Sequence, residues 1–364
     1  MKKIELAIIG AGPAGIAAAT TAAKFGVQTT LIDEYVRPGG QLIKQTHKFF
    51  GSEAHKAGIR GIDIARQFCS ELEASNVELM MGTTVWSIFD SKILSVCHGG
   101  ITEQIRAEKT IIATGASENA ISFPGWTLPG VMTAGAAQTS MNVNRILPGK
   151  RVLMVGAGNV GCIIAYQLLQ AGAEEVTIIE AKPEIGAYAV HSAKVARLGM
   201  RILTSHTVKE VLGDGYVEKA VIVGLDKDFV PILGTEESLD VDMVCIACGL
   251  SPMTELAYVA KCEFVWSSIL GGFIPKVDAH LESSVEGIYI AGDCGGVEEA
   301  STAIEEGTIA AISVAETLGY LFPATAAALR NNAYQRLNEL RSGPFGQTRA
   351  DAKNSLHVKA NTNE

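Results

Sequence analysis

LAIIGAGPAG at residues 6–15 and VLMVGAGNVG at residues 152–161 decide the fold. Each runs from four apolar residues into glycines spaced Gly-x-Gly-x-x-Gly: Gly10, Gly12 and Gly15 in the first, Gly156, Gly158 and Gly161 in the second. That spacing predicts a buried strand, a tight turn and a helix. The first glycine makes the bend, the second lets the backbone approach a pyrophosphate, and the third lets the helix pack closely on the strand. The helix N-terminus then offers unpaired N–H groups to phosphate oxygens. Pro13 and Ala14 complete the first turn, Asn159 and Val160 the second. One such turn implies one bound dinucleotide. Two, 146 residues apart, imply a chain that holds two dinucleotides against each other, as electron transfer requires.

Working outward, 364 residues suffice for two domains, and 48% hydrophobic against 19% charged residues is a globular α/β profile. A net charge of −9 argues against a nucleic-acid surface, which needs a basic patch. Seven scattered cysteines fit a reducing compartment better than a disulfide framework. Leu6 to Ala23 carries no charge behind Lys2 and Lys3, but Gly10, Gly12, Pro13 and Gly15 would break a spanning helix. The expectation is a cytoplasmic chain without membrane insertion.

Apolar runs and turn residues predict strands at residues 4–9, 29–32, 110–113, 151–155, 176–179, 243–247 and 288–291. Helices are expected at 14–25, 160–170, 300–318 and 326–340, the last stopped by Ser342-Gly343-Pro344. Residues 41–60 resist assignment, and the polar tail from Gln347 is expected to be mobile. The fold expected is α/β, with two Rossmann-like dinucleotide-binding domains. The second dinucleotide-binding domain (119–282) is inserted in a discontinuous first one (1–118 and 283–322), and 323–364 form a C-terminal helix and tail.

A ribose diol calls for a carboxylate acceptor about 20 residues beyond the glycine turn. Asp33, 18 residues after Gly15 and followed by Glu34, and Glu180, 19 residues after Gly161, meet that need. A 2′-phosphate would instead want arginine near the strand end. Lys182 is alone there and no arginine follows until Arg197, so NAD is expected over NADP.

The remaining motifs follow a known order, and over roughly residues 4–320 the chain resembles the two-dinucleotide flavoproteins of the pyridine nucleotide–disulfide oxidoreductase superfamily. The resemblance implies that the first turn binds FAD and the second a nicotinamide cofactor. It further implies that Gly40 and Gln41 run beside the FAD, and that Thr114 and Gly115 mark the exit from the FAD domain. Gly292-Asp293 resembles the pair whose aspartate accepts from the ribityl chain. The helix that follows would point its positive end at the flavin, with Glu298 to Thr302, including Glu299, Ala300 and Thr302, facing the ring through either side chains or backbone N–H groups. Gly249, after the strand at 243–247, is a further cofactor-binding candidate.

Disulfide reductases of this superfamily set a cysteine pair against the flavin. Here Cys69, Cys97, Cys162, Cys262 and Cys294 have no such partner. Cys245 and Cys248 form a CxxC, but within an apolar strand, where buried hydrophobes are the better reading. No metal-ligand spacing occurs, and His47, His55 and His191 show no triad-like context. No catalytic side chain is assigned.

PGWTLPGVMTAGA at 124–136 narrows the resemblance to the FAD/NAD-binding subunits of multicomponent amino-acid dehydrogenases, of the opine oxidase, hydrogen cyanide synthase and hydroxyproline dehydrogenase type. That implies a hetero-oligomer in which electrons pass between NAD(H) and FAD, and onward to or from a substrate-oxidising flavoprotein subunit. The other candidate partner is a small iron–sulfur subunit, since no such domain is expected on this chain. Arg341 to Gly346 is the expected partner contact, with an ordinary chain terminus as the alternative. Two other functions stay open: a stand-alone NADH-dependent flavin reductase acting on ferredoxin, a quinone or another small acceptor, and a non-catalytic nucleotide-loaded protein of structural or sensing role.

Overall fold

A computed structural model describes residues 1–356. The chain divides into two compact units, residues 1–117 with 250–364, and residues 118–249. Among the described residues no helix is long and apolar enough to cross a membrane.

In the first unit, strand Lys2–Ile9 pairs in parallel with Thr29–Asp33 on one side and with the long strand Ile101–Ile112 on the other. Glu78–Met81 extends the sheet beyond Thr29–Asp33, also in parallel. The end of Ile101–Ile112 takes Ile288–Ile290 as a parallel neighbour, while its start pairs antiparallel with Ile93–His98, which continues to Thr83–Phe89. Leu6, Ala7 and Ile8 are fully buried, as strands covered on both faces require. Ile9 lies opposite both Ile32 and Ile112, and Ile112 opposite Ile290. The turns beginning at Gly10, Asp33, Ala113 and Ala291 therefore leave one sheet edge together. In open α/β sheets that carboxyl edge is where ligands bind.

The second unit repeats the plan with a five-stranded parallel sheet, in the order Arg201–Thr204, Glu175–Glu180, Arg151–Val155, Met243–Ile246, Val131–Thr133. Val155 lies opposite Ile179 and Ile246, so Gly156, Glu180 and Ala247 share an edge. An antiparallel three-stranded sheet of residues 206–212, 219–224 and 237–240 accompanies it.

The second unit ends at Gly249, not at residue 282. Leu256, Ala257 and Cys262 are the reason: they bury themselves with Ile9, Ile112, Ile288 and Ile290 of the first unit's own core. Residues 323–356 are no appendage either. Helix Pro323–Leu340 buries Ala333 and Leu337 in the same cluster as Ile8, Leu31 and Ile309, and a further helix, Pro344–Leu356, follows where a mobile tail was expected. The unassigned stretch closes on itself: Phe49 and Gly58 N–H groups donate to Ile59 and Phe49 carbonyls at 2.9 Å, and Ile62 to Gln45 at 2.9 Å.

Helix Pro13–Lys24 is seated from two sides. A Cβ on Gly15 would stand 1.7 Å from the Gly10 carbonyl oxygen, and one on Gly307, in helix Ala300–Thr317, would stand 2.1 Å from that of Ala14. Backbone meets backbone at both points, so no rotamer change relieves a methyl. Gly307→Ala should therefore push the two helices apart and destabilise the protein by about 1–3 kcal/mol. A urea midpoint equal to that of the unaltered chain would show that the helices do not meet there as described.

Candidate nucleotide-binding sites

The first turn begins at Gly10, whose φ of +106° suits glycine and whose Cβ would meet the Ala113 oxygen at 2.3 Å. Gly12 caps helix Pro13–Lys24 with no side-chain hydrogen bond, and the first helical turn carries no acidic residue. Its leading N–H groups are thus left for an external acceptor. Nothing lies within 4 Å of a Cβ built on Gly12. Asp33, at the end of the adjacent strand, accepts from Ala11 N–H at 2.5 Å and Tyr35 N–H at 2.7 Å. Those bonds fix the carboxylate beside the turn, and its oxygens retain acceptor capacity for a diol. Glu34 is exposed one residue past the strand. Gly40 closes on the turn from the other side: its Cβ would lie 2.6 Å from Gly12 Cα, and Gly39 N–H donates to the Ala11 carbonyl at 2.8 Å. Gln41 follows, exposed.

The second unit reproduces the turn, the uncapped helix start and the fixed carboxylate. Gly156 has φ +110°, and its Cβ would meet the Ala247 oxygen at 2.4 Å; a Cβ on Gly158 would meet nothing, and one on Gly161 would stand 2.0 Å from the Gly156 oxygen. Helix Asn159–Ala171 also starts without a side-chain cap or acidic first turn. Glu180 accepts from Ala157 N–H at 2.8 Å and Lys182 N–H at 3.0 Å. Asn159 Oδ1 accepts from Tyr188 N–H at 2.8 Å, and Val160 is exposed at the turn. Gly249 follows the strand Met243–Ile246, with Asn119 N–H donating to its carbonyl at 3.0 Å.

At the first unit's edge, Thr114 Oγ donates to the Met253 carbonyl at 2.8 Å, ahead of Gly115. Gly292 N–H donates to Glu306 Oε2 at 2.9 Å, and Glu298 N–H to Asp293 Oδ1 at 3.1 Å. Asp293 keeps part of its surface open, yet its carboxyl lies deep among protein atoms. Burial pushes its pKa up to about 6, with the Glu298 N–H and Lys353 pulling the other way. Its second oxygen accepts no hydrogen bond from the described residues.

At the helix that follows, the side chains are engaged within the protein. Glu299 and Thr302 form the capping box of Ala300–Thr317, so both side chains serve the helix's own first turn. The Glu298 carboxylate turns inward, to Arg341. Arg341 is only 6% exposed and lies in that buried pair, so the anticipated partner-contact segment starts from the interior.

All seven cysteines are free thiols. Cys245 is fully buried in its strand, and burial raises its pKa and that of Cys248, which suits packed side chains better than an exposed redox pair. His191 is buried and its pKa is lowered, by burial and then by Lys194, and His55 Nδ1 lies 3.0 Å from Ser52 Oγ. No cluster of potential metal ligands occurs among the described residues.

Residues 4–307 match the family described as pyridine nucleotide-disulphide oxidoreductase. The chain belongs to this family. It is 30% identical to an opine oxidase subunit of Agrobacterium tumefaciens over 336 residues, which cover 85% of the chain and 65% of that relative. It thus spans less than two thirds of that relative's length. Hydrogen cyanide synthase subunit HcnB of Pseudomonas aeruginosa is 25% identical, with 97% of the chain and 79% of that protein covered. Among solved structures, thioredoxin reductase of T. acidophilum superposes with a TM-score of 0.72 at 22% identity, covering 88% of the chain and all of that protein. The family implies binding of FAD and a pyridine nucleotide. The residues fit those groups: two open, uncapped helix starts, a carboxylate fixed beside each, and the unfilled acceptor of Asp293.

Asp293 also gives a pH test. Its carboxyl ionises near pH 6 when folded and near the ordinary aspartate value when unfolded, so between about pH 4 and pH 6 the folded state holds a proton the unfolded state has released. The contribution of Asp293 to stability therefore falls as pH rises through that window. Asp293→Asn should therefore stabilise the nucleotide-free protein at pH 7, by about 3 kcal/mol at most, with no gain below about pH 4. Urea midpoints for both proteins across this range check it, and a gap that does not change with pH would contradict the burial of this carboxyl.

Proposed function

We propose that the chain is the FAD- and NAD(H)-binding subunit of an oxidoreductase complex, passing electrons between NAD(H) and bound FAD and onward to or from a partner subunit that oxidises an amino or hydroxy acid. The observation that carries this reading is the duplicated strand–turn–helix site with its anchored carboxylate, in a chain whose CxxC has Cys245 sealed in a buried strand and Cys248 half-buried just past it. The similarity to the opine oxidase and hydrogen cyanide synthase proteins, both named as subunits, supports the placement in a hetero-oligomer.

In this reading the first unit takes FAD and the second NAD(H). When bound, FAD supplies the hydride and electron chemistry that side chains lack. The chain's own residues bind and orient. Gly10, Gly12, Pro13, Ala14 and Gly15 present helix N–H groups to the pyrophosphate, Asp33 accepts from the adenosine ribose, and Asp293 accepts from the ribityl chain. Gly40, Gln41, Thr114 and Gly115 border the cofactor, while Glu299, Ala300 and Thr302 contribute the dipole of a capped helix start. In the second unit Gly156, Gly158, Asn159, Val160 and Gly161 form the turn and Glu180 accepts from an unmodified ribose. Two backbone N–H groups fix Glu180, a carboxylate that would repel a 2′-phosphate, so NAD(H) is the preferred nucleotide. No proton-transferring side chain is needed for this exchange.

Anaerobic addition of NADH to the FAD-loaded protein should bleach the flavin absorbance, with NADPH far less effective. Glu180→Gln should weaken NADH about tenfold and narrow that preference, as loss of a charged hydrogen-bond acceptor predicts. Oxidation of an amino or hydroxy acid should require a copurifying subunit. A flavin that NADH never bleaches would overturn the nicotinamide assignment, and substrate oxidation by the isolated chain would overturn the division of labour.

A further inference from the structure

Two cations enter the interior of the first unit from its C-terminal segment. Arg341, just past helix Pro323–Leu340, donates Nε to Glu298 Oε1 at 3.0 Å and Nη2 to Glu298 Oε2 at 2.5 Å and Glu306 Oε1 at 2.7 Å. Lys353, in helix Pro344–Leu356, donates to the same Glu306 oxygen at 2.7 Å and stands 3.6 Å from Glu298 Oε2. The four side chains are between 4% and 10% exposed. Burial opposes ionisation of Glu306, yet Lys353 and Arg341 hold its pKa below the ordinary glutamate value. The cluster is thus ionic, and each carboxylate-bearing residue continues into the Gly292–Asp293 turn: Glu306 accepts Gly292 N–H, and Glu298 N–H donates to Asp293. Lys353 also lies over nearby Gly295 and Gly296, its Cε 3.2 Å from a Cβ built on Gly296 and its Nζ 3.9 Å from one on Gly295.

Such an arrangement is costly unless it does something. Four buried charges could be replaced by apolar packing at little loss, whereas removing one alone leaves an uncompensated charge. With Asp293 ionised, three carboxylates face two cations and the group carries one net negative charge. Taking away Lys353 doubles it, directly beside the turn assigned to the flavin.

We propose that Lys353, carried by helix Pro344–Leu356, is a positioning residue of the flavin site: it fixes the Gly292–Asp293 turn through Glu306 and supplies a positive charge that favours the reduced flavin. This rests on the assignment of FAD to the first unit. The C-terminal segment is accordingly an internal part of the cofactor site.

The test compares Lys353→Met, Lys353→Gln and Lys353→Arg with the unaltered full chain and with Lys261→Met, which removes a surface lysine paired to exposed Asp90 in the same unit. FAD affinity and the midpoint potential of bound FAD, by equilibration with reference dyes, are the readouts. Both neutral variants should bind FAD about tenfold more weakly and show a more negative midpoint, Lys353→Arg should return both toward the original values, and Lys261→Met should change neither. Should Lys353→Met fail to fold, Lys353→Gln, which can still hydrogen-bond Glu306, carries the comparison. Unchanged affinity and midpoint in the neutral variants, no recovery with arginine, or an equal shift from Lys261→Met would overturn the proposal. Failure of the unaltered protein to take up FAD would overturn the flavin assignment and this inference together, whereas FAD uptake without NADH reactivity would leave this inference standing.

Discussion

Everything at the first unit's binding edge depends on how closely helix Pro13–Lys24 is allowed to approach its neighbours. Gly15 lets it rest on the backbone of Gly10, and Gly307 lets helix Ala300–Thr317 rest on the backbone of Ala14. Those two approaches fix the helix start in space, with its N–H groups uncapped and Gly12 open ahead of them. Parallel pairing does the rest, because registers that align Ile9, Ile32, Ile112 and Ile290 bring Gly10, Asp33, Ala113 and Ala291 out side by side. The second unit obeys the same constraint through Gly161 and Gly156.

Much of this is legible in the sequence because it is local. A glycine turn, the strand before it and the carboxylate at the end of the next strand lie within about 30 residues, the span of one βαβ unit. Asp33 and Glu180 are found by counting, and each takes two backbone N–H groups that fix it beside its turn. What sequence reasoning misses is non-local. Nothing in residues 250–282 announces that Leu256 and Cys262 bury themselves with Ile9 and Ile290, so the unit boundary falls 33 residues earlier than expected. The polar character of the C-terminus suggests a free tail because periodicity measures apolar faces, and the force that fixes this segment is ionic. Arg341 and Lys353 find Glu298 and Glu306 at separations of 35 to 55 residues. One signal was available: helix Ala300–Thr317 carries Glu305-Glu306 within an otherwise apolar, alanine-rich run, and a buried carboxylate demands a cation from elsewhere.

The same electrostatic logic separates the two carboxylates that matter most in the first unit. Asp33, half-buried, accepts from the Ala11 and Tyr35 backbone N–H groups. Asp293 sits deep, with one oxygen accepting from Glu298 N–H, and burial raises its pKa. Cysteine chemistry, which gives the family its name, has no comparable setting here, since Cys245 is sealed in a strand and Cys294 is enclosed against the Ile112 and Ala291 carbonyls. The family match covers residues 4–307, and Arg341 and Lys353 lie beyond it.

Native mass spectrometry of the purified full chain, titrated first with FAD and then with NADH, addresses the central claim most directly. Occupied sites at both glycine turns predict one FAD per chain, followed by one NADH that does not displace it. A single mass shift shared competitively by the two nucleotides, or none with FAD, would contradict two separate nucleotide sites.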